Sequence, residues 1–570
     1  MKKYNNNRIV FAVFLLFALT SCNDMLDIPK QGGLLARDAF NTSEDAVRLV
    51  TGAYTPLQWE YQNNGGTFFP EWWIGDICSD DALKGGGSIA DMGLVYDMEN
   101  FRTRSDNNVL LWIYRCQFVG VYRANLVFDI VPYMDPKLFE TGLQNRILGE
   151  AHFLRALYYF RLVRIFGGVP LVDEVIKIQD DWKQPRASAA AVYDLIYRDL
   201  ETAIEYLPEK YAASTDLGRA TKGAARALLM KAYLSNTEEP GLDERIEAAK
   251  LQGERIIASN VYSLSKKAVK LSYETTGFPS QIIELKYNPY EYVFTIEGEN
   301  REESVFEIQY MGEGSSDAWN GLGYSIGTLT PTMTRPVWGS EEGWGFNRPS
   351  QELYDEFEPG DTRRETAIYS PTAEQVAPSD DNTNNVNVYL GNRYVALKYT
   401  MIRKDTTWIK TGHSTRGAIN RKEIRYADVL LMYAEACCKS KTPDYNKAKW
   451  ALEEVRSRAR IDENGNVRSI LPSFPNYKGY SDTPADLYKA IQHERRVELA
   501  MEGHRWFDLK RWGILAEVMN NYRIATKSQI SQHMDEFIKG KHELFPIPLL
   551  ERDLNSPMPQ NPGYDGVPIN

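Results

Sequence analysis

What most constrains the fold of this chain is a set of apolar stripes at helical spacing that come in pairs, with small residues where two helices would cross. Leu111, Tyr114, Phe118, Val121 and Phe128 fall on one face of a helix, and Ala151, Leu154, Tyr158, Leu162 and Ile165 on one face of the next. The second run stops at Gly167-Gly168, because glycine accepts the left-handed backbone that ends a helix. Its partner carries Val192, Ile196, Leu200, Ala203 and Leu207, then Pro208. A further pair is written in Ala225, Leu228, Leu229 and Ala232, followed by Ile246, Ala249, Gly253 and Ile256. A last pair appears in Leu430, Tyr433, Ala434 and Cys437, then Ala448, Leu452, Val455 and Ala459, with Thr442-Pro443 expected to cap the second helix.

Leu228-Leu229-Met230-Lys231-Ala232 and Leu430-Leu431-Met432-Tyr433-Ala434 are near copies. Helix pairs with alanine at the crossings are the pattern of tetratricopeptide-type units. These units are not in tandem, since a stretch over 260–424 of different texture separates the last pair from the others. That stretch is rich in Gly, Asn, Thr and Trp, with β-prone runs at Tyr292–Ile296 and Ser304–Tyr310 and a polar loop over Ser379–Asn387. The expected fold is mainly α: tetratricopeptide-like helical pairs as a scaffold, with an irregular, loop-rich inserted lobe containing short strands. The parts are a helical region over 22–259, the inserted lobe over 260–424, and a helical region over 425–570 that completes the same fold.

Residues 1–21 read as a signal peptide. Lys2, Lys3 and Arg8 form a basic leader, and the apolar run Ile9–Leu19 is too short for a spanning helix but long enough for a signal core. It ends in Leu19-Thr20-Ser21-Cys22, a lipobox, so Cys22 is expected to carry the lipid; two or more acyl chains anchor stably where one is marginal. No later segment is apolar for long enough to span a bilayer.

The net charge of −11 would repel phosphate backbones, so nucleic acid is not an expected partner. Cys78, Cys116, Cys437 and Cys438 form no CxxC pair, and no histidine is spaced to complete a zinc site. A Cys78–Cys116 disulfide stays open. Tyrosine, at 34 residues, exceeds phenylalanine, at 22, which favours rings with a wet polar edge and hints at a binding surface.

Several segments together carry a family resemblance. They are Leu162-Val163-Arg164-Ile165-Phe166-Gly167-Gly168-Val169-Pro170, the stretch Gly345 to Arg364 with Pro349, Leu353, Phe357, Asp361 and Arg363-Arg364, and Glu494-Arg495-Arg496-Val497-Glu498-Leu499-Ala500-Met501-Glu502-Gly503-His504-Arg505-Trp506-Phe507-Asp508-Leu509-Lys510-Arg511-Trp512-Gly513. His542-Glu543-Leu544-Phe545-Pro546-Ile547-Pro548 and Asn561-Pro562-Gly563-Tyr564 close the series. With the lipobox, they make the chain resemble the SusD/RagB proteins over essentially its whole mature length. The resemblance implies a surface-exposed lipoprotein of the cell outer membrane. It would bind oligo- or polysaccharide and hand it to a SusC-like TonB-dependent transporter. In the RagB branch the ligand is peptide, and a pure helical-repeat scaffold without a small ligand is the remaining alternative.

The Glu494–Gly513 segment is dense in titratable groups, yet it reads as structure. Thr483-Pro484-Ala485-Asp486 looks like a helix start, and Arg495/Glu498, Glu498/Glu502, Glu502/Arg505 and Arg505/Asp508 fall three or four apart, as in a salt-bridge lattice on one long helix. Catalytic templates fail: His493-Glu494 has no second histidine at the metalloprotease spacing, and neither a Gly-x-Ser-x-Gly elbow nor a phosphate loop is present. Asp462-x-Asn464-x-Asn466 begins like a calcium loop, but Val467 stands where glycine is needed and Ser473 where glutamate is needed. No catalytic residue, metal or cofactor is expected.

Aromatic loops are the expected ligand site, because a sugar ring stacks its C–H face on an indole or phenol while its hydroxyls take amides and carboxylates. The candidates are Trp72, Trp73 and Asp76 in the early region, and Trp319, Asn320, Tyr324, Trp338 and Trp344 in the inserted lobe. Loops would hold these rings open to solvent. In the resembled family, ligand sites likewise draw on loops from both regions, so the two groups are expected to converge.

Overall fold

The computed structural model describes residues 40–59, 69–176, 182–238, 240–274, 282–311, 327–335, 343–372, 388–400, 402–404, 408–410, 417–525 and 532–569. The scaffold is built from helices α1 (Ser43–Tyr54), α2 (Asn108–Ile130), α3 (Leu143–Phe166), α4 (Ala189–Tyr206), α5 (Lys222–Ser235), α6 (Leu242–Ala258), α7 (Tyr426–Lys439), α8 (Tyr445–Ala459) and α9 (Pro484–Glu498). Local chemistry starts them: Thr42 and Asp45 form a reciprocal capping box, and Asn107, Ser188, Thr221 and Thr483 each accept a backbone N–H of the first turn. α3 ends at Gly167, whose φ of 74° is the positive value that glycine supplies there.

Successive helices pack as neighbours, α2 on α3, α3 on α4, α5 on α6 and α7 on α8. Small residues set the closest approaches. A Cβ on Gly120 would stand 2.3 Å from the Tyr158 ring, so its absence lets α2 lie against α3 while the Tyr158 hydroxyl reaches Ala53 O of α1 at 2.6 Å. α7 packs on α6 and α5, where Gly253 leaves room for Tyr433 and Met230. The last pair therefore stacks directly on the pair that contains its near copy, across the long insertion. Lys231 of α5 and Asp428 of α7 close the contact at 2.7 Å.

Between α6 and α7 the described chain forms short antiparallel two-stranded sheets. β2 (Val269–Glu274) pairs with β3 (Ile282–Tyr287), and β4 (Ser304–Ile308) with β10 (Arg421–Arg425). β1 (Ala82–Gly85) pairs with β5 (Phe346–Pro349), which ties the lobe to the early region. β7 (Val395–Ala396) pairs with β6 (Ile368–Tyr369), and β8 (Ile402–Lys404) with β9 (Trp408–Lys410). One hydrophobic cluster runs from Ala46 through Phe306 and Leu430 to Met558, so helices and lobe share a core.

Three local expectations are corrected, and one open question, the Cys78–Cys116 disulfide, is answered. The cap of α8 is Asp444, not Thr442, since Asp444 accepts from Lys447 N at 3.0 Å. Pro289–Tyr292 is a helical turn with no strand after it, because Asn288 caps it and Pro289 occupies its first position. Cys78 and Cys116 are both buried and unpaired as thiols. The charged Glu494–Gly513 segment is not one long helix: α9 ends at Glu498, Met501 and Gly503 take φ of 60° and 81°, and a short helix restarts at Arg505.

That break redirects the ion pairs. Arg495 binds Asp428 (2.9 Å) and Asp508 (3.1 Å) rather than Glu498. Arg496 and Arg505 both reach Asp80, at 2.8 Å each. Glu494 holds Arg363 (2.5 Å) and Arg456 (2.7 Å), and Glu502 holds Arg425 and Lys398, at 2.8 Å each. The segment is a lattice, but apart from Asp508 the partners named here come from helices, turns and β10, far away in sequence.

Candidate functional site

The early candidates lie in the core. Glu71–Trp73 is a 3-10 turn that runs directly into the short helix Ile74–Ile77. Trp73 is 0% exposed, with its ring edge-on to Phe69 (6.1 Å) and Trp72 (6.0 Å). Trp72, 5% exposed, meets Tyr399 edge-on at 5.6 Å and has the Arg421 guanidinium 5.3 Å from its ring. Asp76 accepts from Asn347 Nδ2 (3.1 Å) and Gly503 N (2.8 Å), and burial pushes its carboxyl up to about 7. The expectation that Trp72, Trp73 and Asp76 stand open to solvent is therefore corrected. They join the early region to β5 and to the turn after α9. The physical reason is the short helix behind them: it turns both rings inward against residues that sequence distance conceals.

Trp344 is half-buried and packs on the main core. Trp319, Asn320, Tyr324 and Trp338 lie outside the described residues, as does Cys22.

A different pair of tryptophans forms a shelf. Trp59 follows the 3-10 turn Thr55–Gln58, and Trp112 stands on α2, off the buried stripe of that helix. Both are half-buried, and their rings lie nearly parallel, 23° apart with centroids 6.1 Å apart, the separation of an offset stack. The Arg123 guanidinium sits 5.2 Å from the Trp59 ring and is held by Gly52 O at 2.8 Å. Further along α2, Tyr122 is exposed.

Beside the shelf the two regions meet. Gln58 Nε2 donates to Gln309 O at 2.6 Å, across 251 residues. Gln309 extends this into an amide ladder: its Oε1 accepts from Asn300 Nδ2 and Asn420 Nδ2, at 2.9 Å each, and Asn420 Nδ2 reaches Glu307 at 3.1 Å. Met311, next in the chain after Tyr310, is exposed. Half-buried rings and an arginine thus stand beside the half-buried amides of Gln58, Gln309 and Asn300, with Asn420 buried behind them. That combination can stack a polyhydroxylated ring and hydrogen-bond its hydroxyls. Trp59 was not among the sequence candidates, although it lies upstream of Trp72 and Trp73 in the same tryptophan-bearing region. Trp112 and Arg123 were missed, and the signal was there: a tryptophan about 100° around the helix from its buried stripe has no core to enter.

Among the described residues no cluster of three His, Cys, Asp or Glu side chains is placed to hold a metal ion. No described helix is long and apolar enough to cross a membrane.

Two family models match the chain, the SusD family over residues 302–564 and "Starch-binding associating with outer membrane" over residues 79–234. SusD-like protein P2 of Formosa agariphila is 26% identical over a 585-residue alignment, covering 99% of this chain and 100% of the relative. SusD-like protein P38 of the same organism is 26% identical, covering 93% and 96%. Among solved structures, a laminarin-binding SusD-like protein is 26% identical with a TM-score of 0.68, covering 92% of this chain and 100% of that one. Surface glycan-binding protein A from Bacteroides thetaiotaomicron, in complex with laminarihexaose, has a TM-score of 0.71 at 23% identity, covering 91% and 100%, and shares the fold.

Proposed function

Because this chain belongs to the SusD family, we propose that it captures oligo- or polysaccharide on the Trp59–Trp112 shelf and acts as a binder, not an enzyme. The observation that carries this is the half-buried, near-parallel indole pair beside the Gln58–Gln309 contact. The laminarin-binding relative supports a glycan over a peptide as ligand. Trp319, Asn320, Tyr324 and Trp338, expected from the sequence as ligand residues, belong to the same proposal. Three rings, the shelf pair and one more, contributing about 1–2 kcal/mol each would give roughly −3 to −6 kcal/mol, that is millimolar to tens-of-micromolar affinity, suited to capture with fast release.

Trp59→Ala is expected to weaken binding about five- to thirtyfold while shifting stability little, because a half-buried ring contributes modestly to the core. The measurement is calorimetry against whichever polysaccharide retards the protein in native gels. Unchanged affinity would remove the shelf from the site. No retention by any glycan, with tight binding of mixed peptides, would move the chain to the RagB-like branch.

The lipid anchor and delivery to a SusC-like TonB-dependent transporter are part of the same proposal. Family membership and the Leu19-Thr20-Ser21-Cys22 box support them. Cys22→Ala should leave the protein unprocessed or released from the outer membrane. A variant that still fractionates with that membrane and labels with palmitate would refute the anchor.

A further inference from the structure

The inserted lobe holds a cavity of about 430 Å³ that shares no residue with the Trp59–Trp112 shelf. One wall is a relay of polar groups on the β2–β3 hairpin and the turn after it. The Tyr287 hydroxyl donates to Tyr273 at 3.3 Å, and the Tyr273 hydroxyl donates to Glu297 at 3.2 Å. Another wall is rigid and aromatic: Tyr354 stacks on Tyr394 at 4.6 Å, with the Arg364 guanidinium 4.7 Å from its ring. Phe294 and Leu397 supply apolar surface between them.

The charges of this cavity select its ligand. Arg364 is already paired with Glu365 at 2.9 Å, and Lys398 with Glu502 at 2.8 Å. Lys398 is buried, so an anionic ligand could reach it only by unpairing Glu502. The Arg364–Glu365 pair is exposed, but three carboxylates, Glu291, Glu297 and Glu365, line the cavity against those two cations and disfavour an anion. A hydroxyl relay ending on a carboxylate suits groups that both donate and accept. The cavity lies at the lower end of the range of small-ligand pockets, so it encloses one or two sugar rings where the shelf is open along its length.

We propose that this tyrosine-lined pocket is a second carbohydrate site, which takes a one- or two-ring end of a neutral glycan. The proposal rests on the chain being a glycan binder, but not on the shelf. Its test is saturation-transfer NMR on the full mature chain with laminaribiose, cellobiose, maltose, xylobiose and digalacturonic acid. At least one neutral disaccharide should be saturated in the wild type and equally in Trp59→Ala. Glu297→Gln should weaken that disaccharide about tenfold, the loss expected for a hydrogen bond to a charged acceptor. If Glu297→Gln fails to fold, Tyr273→Phe, which removes one hydroxyl of the relay, should weaken it in the same direction. Retardation by polysaccharide should stay dependent on Trp59 and indifferent to Glu297. The proposal falls if no neutral disaccharide is saturated, if digalacturonate binds better, or if the signal vanishes in Trp59→Ala and survives in Glu297→Gln. Disaccharide binding that depends on Glu297, with polysaccharide retention unaffected by Trp59→Ala, would instead keep the pocket and discard the shelf.

Discussion

Replacing Glu498 by alanine is expected to destabilise the protein by about 3–5 kcal/mol, the cost of leaving buried charges without their partner. Glu498 is 0% exposed and lies against Arg425 (2.6 Å), Arg363 (2.9 Å) and Arg458. Arg458 and Arg363 are themselves fully enclosed, so no water can take over the lost contacts. Burial by itself raises the Glu498 carboxyl, but Arg458, Arg425 and Arg363 outweigh it and hold the group well below the usual carboxylate range. Glu494 and Glu502 are lowered for the same reason, burial again being overcome by arginines and Lys398. Against the upward push of burial, His493 and Arg456 hold Glu358 down at about 2.

The sign of the pH dependence follows. Carboxyls with depressed folded pKa contribute stability that is fully present above their unfolded value, about 4.3, and is lost as pH falls toward the folded values. Opposing them, burial raises Asp76 to about 7 and Glu99 and Glu299 to about 8. Those groups stay protonated when folded, so they withdraw stability as pH rises from about 4 through 7 to 8. Maximum stability is therefore expected on the mildly acidic side of neutral, with a steep fall below about pH 4. Urea midpoints of wild type and Glu498→Ala at pH 3, 5.5 and 8 check both claims. An unchanged midpoint at pH 5.5 would show that the arginines find other partners. A binding defect without a stability defect would make Glu498 a ligand residue after all.

Trp73→Ala is expected to cost about 3–5 kcal/mol, the range for deleting a fully buried aromatic ring. With Trp73 gone, Phe69 and Trp72 lose the ring between them. The neighbouring backbone has little freedom to close the gap, since a Cβ on Gly75 would fall 1.9 Å from Gly503 O. The cavity therefore stays largely open, which places the cost toward the upper part of the range. The variant should unfold at markedly lower urea while the fraction that remains folded binds polysaccharide normally. The contrast with Trp59→Ala, which should lose affinity and keep stability, separates ring as core from ring as platform. Weak binding by a Trp73→Ala protein of undiminished stability would return Trp73 to the ligand surface.

Legibility in the sequence followed the range of the interaction that produced each feature. Helical stripes were readable because burial of a helix face imposes a spacing over a few residues, and the cap at Thr483 was a local hydrogen bond. The break after Glu498 was not readable. Charges at i, i+3 and i+4 are equally compatible with a continuous helix, and the partners that end it, Arg425, Arg363 and Arg458, come from elsewhere in the chain. Gly503, whose φ of 81° lets the backbone turn under Trp72 O, was the one local hint.

The candidate site divides the same way. Composition marked the region before residue 74 and the inserted lobe as aromatic, and the meeting of Gln58 with Gln309 brings the ends of those two regions together. Which rings face water was settled by packing: Trp72 and Trp73 are enclosed by Phe69, Tyr399 and Arg421, whereas Trp59 and Trp112 lie side by side at the surface. A tryptophan is large, apolar and able to donate one hydrogen bond whether it stacks on a core or on a ligand, so its identity carries no information about its exposure. By itself, then, the sequence determined the helical scaffold and the family, because these depend on periodicity and contiguous motifs. Only the tertiary structure decided the ion-pair partners, the burial of the early tryptophans, the shelf and the tyrosine pocket, because each is made by side chains whose proximity depends on how distant segments pack.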